Sequence, residues 1–246
     1  ISNVNEIRTK LCLCKRFQMK FSIITTFHNS EEHILDCLNS VKRIDDNLEY
    51  EHILVDDGSL DNSRSLILAN LSEHQRLVGK EKIGRGRALN LGIRESKGEF
   101  ICILDSDDMI AKEWIEFFIS NITAREKELS GYSVFFGKNF LLKGSSQNLL
   151  SKQNQDLNQI ANYKLNTKKV YFYNPVPHLG VILRGSSLKS VGNYTETRKS
   201  QFDWDLWLKL IDKQKCFYYF DVFTGTKRIH DNQSFEVSNH FIYTLR

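Results

Sequence analysis

The 246-residue sequence is short of several things, and each shortage narrows what it can be. Two prolines and 13 glycines exclude a collagen-like chain. Five cysteines are too few for a disulfide-dense mini-domain, and their number is odd. Cys12-x-Cys14 lacks the second ligand pair a structural zinc site needs. No apolar run approaches the roughly 20 residues that span a bilayer. No apolar-cored leader with a small-residue cleavage site is visible, which with the cysteine usage points to a reducing, cytoplasmic compartment. Charge of one sign is also scarce. The net is +4, and residues 1–20 supply all of it through five basic residues and Glu6. The remainder sums to zero, which excludes a basic nucleic-acid binder. What remains is an ordinary soluble composition, 41% hydrophobic and 26% charged, long enough to bury a real core.

Residues 1–19 read as an extension before a native start at Met19, its basic head a candidate for peripheral contact with an anionic membrane face. Beyond it, strand and helix patterns alternate. Phe21–Phe27 is rich in β-branched and aromatic residues and reads as a strand. Asn29 or Ser30 can cap a helix carrying Ile34, Leu35, Leu38, Val41 and Ile44. His52–Val55 predicts a second strand, and Asp61 caps a helix with Leu66, Ile67 and Leu71. Gln75–Val78 is a third strand, and Gly86–Glu95 a helix weakened by Gly92. Phe100–Leu104 is a continuous apolar run, as in a strand buried on both faces. This order predicts an α/β, Rossmann-like doubly wound, mostly parallel sheet with helices on both faces. The later chain is less regular. Residues 144–168 read as a loop or lid, Pro175 and Pro177 as a turn before a strand at Val181–Leu183. Asp203–Ile211 reads as an amphipathic helix, Phe217–Phe220 as a strand, and Arg228–Phe235 as loop.

Three strands end in polar clusters: Thr26-Phe27-His28-Asn29, Asp56-Asp57-Gly58-Ser59 and Asp105-Ser106-Asp107-Asp108. If the strands are parallel the clusters share one edge, where open α/β sheets bind ligands. Residues i and i+2 of a strand face one side, so Asp105 and Asp107 repel unless a cation lies between them. Oxygen-only ligands suit Mg²⁺ or Mn²⁺, shared with a phosphate. The competing reading makes Asp107 or Asp108 the cap of a helix opening at Ala111. Asp56 and Asp57 serve either a turn or a hydrogen bond to a nucleobase or ribose. Gly84-Arg85-Gly86-Arg87 opens a helix and suits phosphate, or is a solvated basic turn.

Taken together, TFHN, VDDGSLD, GRGRALNLGI and LDSDD, followed by VGNY, FDWDLWLKL and RIH, resemble the motif series of the family-two inverting glycosyltransferases of the GT-A fold, over roughly residues 20–236. The resemblance implies one GT-A domain at 20–246, with a nucleotide-binding half at 20–110 and an acceptor-binding half at 111–246. It implies that Thr26 and His28 line the base pocket, His28 standing where the family often has Tyr. Asp56 or Asp57 would bind base or ribose. Arg87, with Arg85 as a further candidate, would approach the nucleotide, and Asp105 the ribose or metal-bound water. Asp107 and His230 would hold Mn²⁺ or Mg²⁺, with Asp108 as a further acid. Asp203 would be the general base, preceded by Phe202 where the family has Glu, with Asp205 as the fallback and His178 on the acceptor side. Trp204 and Trp207 line an acceptor groove or belong to the core. The implied partners are a nucleoside-diphosphate sugar, UDP-sugar favoured, and a saccharide or lipid-linked saccharide acceptor, with the enzyme cytoplasmic or at the inner membrane face. Two other readings stand beside this one: a sugar-nucleotide pyrophosphorylase, which resembles chains with a glycine-rich loop where Thr26–Ser30 stands, and a non-catalytic binding domain.

Overall fold

The computed structural model describes residues 21–143 and 163–229, so the basic head, the stretch 144–162 and everything from His230 onward lie outside the described residues. In chain order the elements are β1 (Phe21–Phe27), α1 (Ile34–Val41), β2 (Tyr50–Asp56), α2 (Ser63–Ala69), β3 (Gln75–Val78), α3 (Arg85–Glu95), β4 (Phe100–Ile103) and β5 (Met109–Ile110). Then come α4 (Lys112–Ala124), α5 (Glu126–Leu129), β6 (Tyr132–Lys143), β7 (Tyr163–Lys164), a 3₁₀ turn (Thr167–Tyr171), β8 (Ile182–Arg184), α6 (Gly185–Ser190), α7 (Phe202–Asp212) and β9 (Cys216–Ile229). One sheet runs β3-β2-β1-β4-β8-β6-β9-β5, with β7 paired to β9. β1 pairs in parallel with β2 and β4, and β2 with β3. β8 then runs antiparallel between β4 and β6, while β6 and β9 form a long parallel pair.

Alternation along β1 and β4 sends side chains to both faces, and each face is covered. Ile24, Ile101 and Ile103 pack with Ala88, Leu89 and Ile93 of α3 and with Leu206, Trp207 and Leu210 of α7. Phe21, Ile23, Phe100 and Cys102 pack on the other face with Cys37 and Val41 of α1 and Trp114, Ile115 and Phe118 of α4. Two-sided burial explains the unbroken apolar runs of β1 and β4. Gly92, which lowers helix propensity, sits where α3 meets the sheet. A Cβ there would collide with the Ile24 side chain and crowd Val55 at 3.2 Å. Close helix–strand approach thus outweighs the ~1 kcal/mol propensity loss.

Several expectations are corrected. Asn29 and Ser30 do not cap α1. Asn29 takes a positive φ of 51° and its side-chain oxygen accepts from the Leu60 amide at 2.8 Å. The Ser30 carbonyl accepts from the His33 and Ile34 amides, so a turn precedes the helix. Asp61 does receive the Ser63 amide at 3.0 Å and hydroxyl at 2.6 Å, but α2 ends at Ala69, before Leu71. Asp107 and Asp108 cap nothing: α4 starts at Lys112 because β5 intervenes and pairs with β9. Arg228 and Ile229 belong to β9 rather than a loop, since β6 pairs with β9 through Lys143 and Ile229. Within the expected 144–168 loop, Tyr163–Lys164 is a short strand and a 3₁₀ turn begins at Thr167.

Candidate active site

Because β1, β2 and β4 are parallel, their three polar ends meet along one edge, around a cavity of about 580 Å³. Thr26, His28, Asp57, Arg85, Asp105 and Asp107 line it. Strand spacing is not what brings Asp105 and Asp107 together. β4 ends at Ile103, and the segment turns, with the Asp108 amide donating to the Asp105 carbonyl at 3.1 Å. The turn places Asp105, Ser106 and Asp107 on the cavity wall, where Ser106 Oγ meets Ser30 Oγ at 2.9 Å.

Adjacent acids take different work. Asp56 is buried, accepts from the Ser59 amide at 2.8 Å and the Arg64 guanidinium at 3.0 Å, and does not line the cavity. It ties the turn that Gly58 makes with φ 76°, against the Lys82 backbone. Asp57 lines the cavity and accepts the Ile83 and Gly84 amides at 2.8 and 2.7 Å, which fixes the start of α3. Arg85 and Arg87 also part company. Successive helical residues turn about 100°, so two positions apart they point to nearly opposite sides. Arg85 Nη2 donates to Asp105 Oδ1 at 2.6 Å in the cavity, and Arg87 lies outside it, paired with Glu196 at 3.4 Å. For this chain the basic group approaching the cavity from α3 is therefore Arg85, not Arg87.

His178 lies against Asp105. Its Nδ1 is 3.5 Å from Asp105 Oδ1, and its Nε2 shares a hydrogen bond with the Tyr194 hydroxyl at 2.9 Å. Burial alone would raise the Asp105 pKa. The Arg85 guanidinium and the His178 ring outweigh that and hold the carboxyl well below its usual range. Asp108 goes the other way. Burial and the charges of Asp107 and Asp105 push it well above the usual range, although the Arg228 amide donates to it at 2.9 Å. Arg228, which belongs to the RIH motif but was given no role there, also donates to the Asp107 carbonyl at 3.1 Å and to Asp36 Oδ2 at 2.6 Å, pinning the acidic turn to α1.

α7 brings the remaining candidates. Asp203 Oδ2 accepts from Asn174 Nδ2 at 2.7 Å. Asp205 instead accepts from the Thr195 hydroxyl at 2.6 Å and from Arg198 at 3.0 Å. Asp205 thus steadies Arg198, which with Lys199, Lys82 and Phe202 lines the cavity. These cations were missed in the sequence; the run Thr-Arg-Lys-Ser before α7 carried the signal without its direction. Trp204 and Trp207 are buried, their indole N–H groups donating to the Val170 and Val176 carbonyls at 2.7 and 3.2 Å, so both are core. His230 lies outside the described residues.

Among the described residues no three His, Cys, Asp or Glu side chains converge on a cation position. Mg²⁺ commonly takes only one or two carboxylates plus substrate phosphates. The hard oxygen donors of the acidic turn, whose crowded charges raise Asp108, fit a divalent cation of that kind.

Residues 22–178 match the family described as Glycosyl transferase family 2. Among curated proteins, the glycosyltransferase GlyG of Streptococcus pneumoniae is 32% identical over 112 residues, covering 44% of this chain and 36% of that protein. The amylovoran biosynthesis glycosyltransferase AmsE of Erwinia amylovora is 28% identical over 201 residues, covering 78% of this chain and 69% of its own. The poly(ribitol-phosphate) beta-N-acetylglucosaminyltransferase TarS of Staphylococcus aureus is 33% identical over 102 residues, 40% of this chain and 18% of TarS. The chain thus aligns with little more than a third of GlyG and less of TarS. In structure, residues 1–349 of S. aureus TarS in complex with UDP-GlcNAc superpose with a TM-score of 0.69 at 22% identity, over 88% of this chain and 60% of that one. That likeness establishes the GT-A fold.

Proposed function

Because the chain belongs to glycosyl transferase family 2, we propose that it transfers a sugar from a UDP-sugar to an acceptor hydroxyl, with inversion, in the building of a surface polysaccharide or lipid-linked oligosaccharide. The observation that carries the reading is the meeting of three strand-end clusters on one cavity whose wall is acidic at Asp105 and Asp107 and basic at Arg85, Arg198 and Lys199. TarS structures hold UDP-GlcNAc and UDP, which supports a uridine donor, and the names of TarS and AmsE support a cell-surface product.

On this reading Thr26 and His28 receive the base, and Asp57 lies beside them to accept from a base N–H or a ribose hydroxyl. Asp105, kept ionised by Arg85 and His178, faces the ribose. Asp107, with His230, would hold Mn²⁺ or Mg²⁺, which when bound supplies positive charge beside the diphosphate. Asp203 takes the acceptor hydroxyl's proton as that oxygen bonds to the anomeric carbon. The bond from that carbon to the diphosphate oxygen breaks in the same displacement, and the nucleoside diphosphate leaves with the electron pair. One displacement from the opposite face inverts the anomeric centre. Asn174 occupies one oxygen of Asp203, which orients the other. Arg85, Arg198 and Lys199 offer cationic groups to the departing diphosphate.

The test is a panel of UDP-, GDP- and dTDP-sugars, with and without Mn²⁺, read by thermal shift and donor hydrolysis. A ligand that binds only the folded state raises its melting temperature by mass action. A metal-dependent shift with UDP-sugars, lost in Asp107→Ala, is the expected result. No shift with any donor overturns the donor assignment. Retention of the donor's anomeric configuration in the product, read by NMR, overturns the single displacement.

A further inference from the structure

Scattered exposed apolar side chains are ordinary on a protein surface, but contiguous ones mark contact sites. Tyr171, Phe172 and Tyr173 are consecutive and 46%, 78% and 50% exposed. None of them lines the donor cavity. They are not held loosely. Val170 beneath them is buried, and its carbonyl accepts from the Trp204 indole at 2.7 Å. The Phe172 and Tyr173 amides both donate to the Lys169 carbonyl, at 3.0 and 3.2 Å. The Tyr171 hydroxyl donates to Asp212 at 2.9 Å. A fixed turn therefore displays three aromatic rings to water, at a standing hydrophobic cost that contact with an apolar phase would remove.

The surroundings select the phase. Lys168 and Lys169 precede the rings and are exposed, and exposed Lys213 follows Asp212. Asp212, an acid beside the tip, is hydrogen-bonded by Tyr171. Amphipathic aromatics beside lysines match the headgroup layer of a bilayer, where rings enter the interface and ammonium groups meet lipid phosphates. Anionic lipid adds attraction for each lysine. A stacking surface for uncharged carbohydrate would use the rings but draws nothing from the lysine rim. We propose that the Tyr171–Tyr173 tip with Lys168 and Lys169 docks this protein onto an anionic lipid surface. Asn174, next in the chain, bonds Asp203, so docking would set the proposed base near that surface. This corollary rests on the transferase reading; the lipid contact itself does not.

The experiment is co-sedimentation of the full chain with phosphatidylcholine vesicles, with and without phosphatidylglycerol, at low and high salt. The expected result is salt-sensitive pelleting with the anionic vesicles only. Lys168→Glu/Lys169→Glu should weaken it roughly tenfold or more, since each lysine contributes about 1 kcal/mol near such a surface. Phe172→Ser should weaken it severalfold, and both variants should keep the wild-type melting temperature. Phe172→Trp should shift its emission to the blue with these vesicles, after subtraction of wild-type fluorescence, and be quenched by brominated lipid. Pelleting unchanged in both variants would assign membrane contact to the basic head at residues 1–20 and overturn the proposal. So would absence of pelleting, or a Phe172→Trp signal that answers to soluble oligosaccharide and not to vesicles. Loss of donor binding with lipid binding intact would strike the transferase reading alone.

Discussion

From β1 to β4 the chain places polar groups by strand ends; after β5 it places them by packing. In the first region Asp57 and Asp105 follow parallel strands, and each is held by short bonds from the start of α3 and the residues just before it: Ile83 and Gly84 amides on one, Arg85 on the other. In the second, Asp203 and Asp205 ride one helix whose place is set by buried Trp204, Leu206 and Trp207. The difference shows in tolerance. A strand-end carboxylate depends on a few hydrogen bonds, so its loss is felt locally. A helix-borne carboxylate depends on the register of the whole helix against the sheet, so neighbours such as Asp203 and Asp205 separate into unlike environments.

The largest effect expected is at Asp203. Asp203→Asn should lower kcat by roughly 10²–10⁴-fold with donor affinity unchanged, as loss of a general base does. Asp205→Asn should leave kcat within a few fold and lower the melting temperature by freeing Thr195 and Arg198; equal kcat losses in both would erase the distinction drawn on α7. Next comes the strand-end side. Arg85→Ala should weaken donor binding about 10- to 100-fold, the worth of a charged hydrogen bond, measured by calorimetry. Arg87→Ala should change it by less than about twofold, as for an exposed pair.

A smaller, graded effect lies under the first region. His52 is buried, bonded to Thr25 at 2.9 Å and to Gln75 at 3.2 Å. Burial lowers its pKa from 6.5 to about 3. Below pH 6.5 the unfolded chain binds a proton that the folded chain refuses until about pH 3. Stability is therefore full above that window and falls as pH drops through it, by up to about 1.4 kcal/mol per pH unit from this group. Urea melts across that range should show the slope, and His52→Gln should flatten it. Gly92→Ala trades better helix propensity for overpacking on Ile24, for a net loss of about 1–3 kcal/mol by thermal melt.

Much of the first region was legible because its signals are local. β1 and β3 appear at the bounds their β-branched and apolar patterns predict, and α3 within a residue. The gathering of Thr26, Asp57 and Asp105 followed from parallel order alone. What misled was also local: Asn29 looks like a cap but spends its side chain on Leu60, and Asp107 and Asp108 look like caps but precede a strand. The long pairing of β6 with β9 was hidden, because it joins segments far apart whose partners no local period announces.

By itself, then, the sequence determined the alternation of strands and helices and the identity of the acids at the strand ends, because periodicity and turn chemistry act over a few residues. Only the tertiary structure decided which of two neighbouring groups serves the cavity: Asp57 over Asp56, Arg85 over Arg87. It also decided that Asp203 bonds Asn174 while Asp205 bonds Arg198, and that His178 lies against Asp105. Side-chain direction is set by the partners each residue meets in the fold, and the sequence does not announce them, whether they stand a few residues away, as Arg198 does from Asp205, or tens of residues away, as Asn174 does from Asp203.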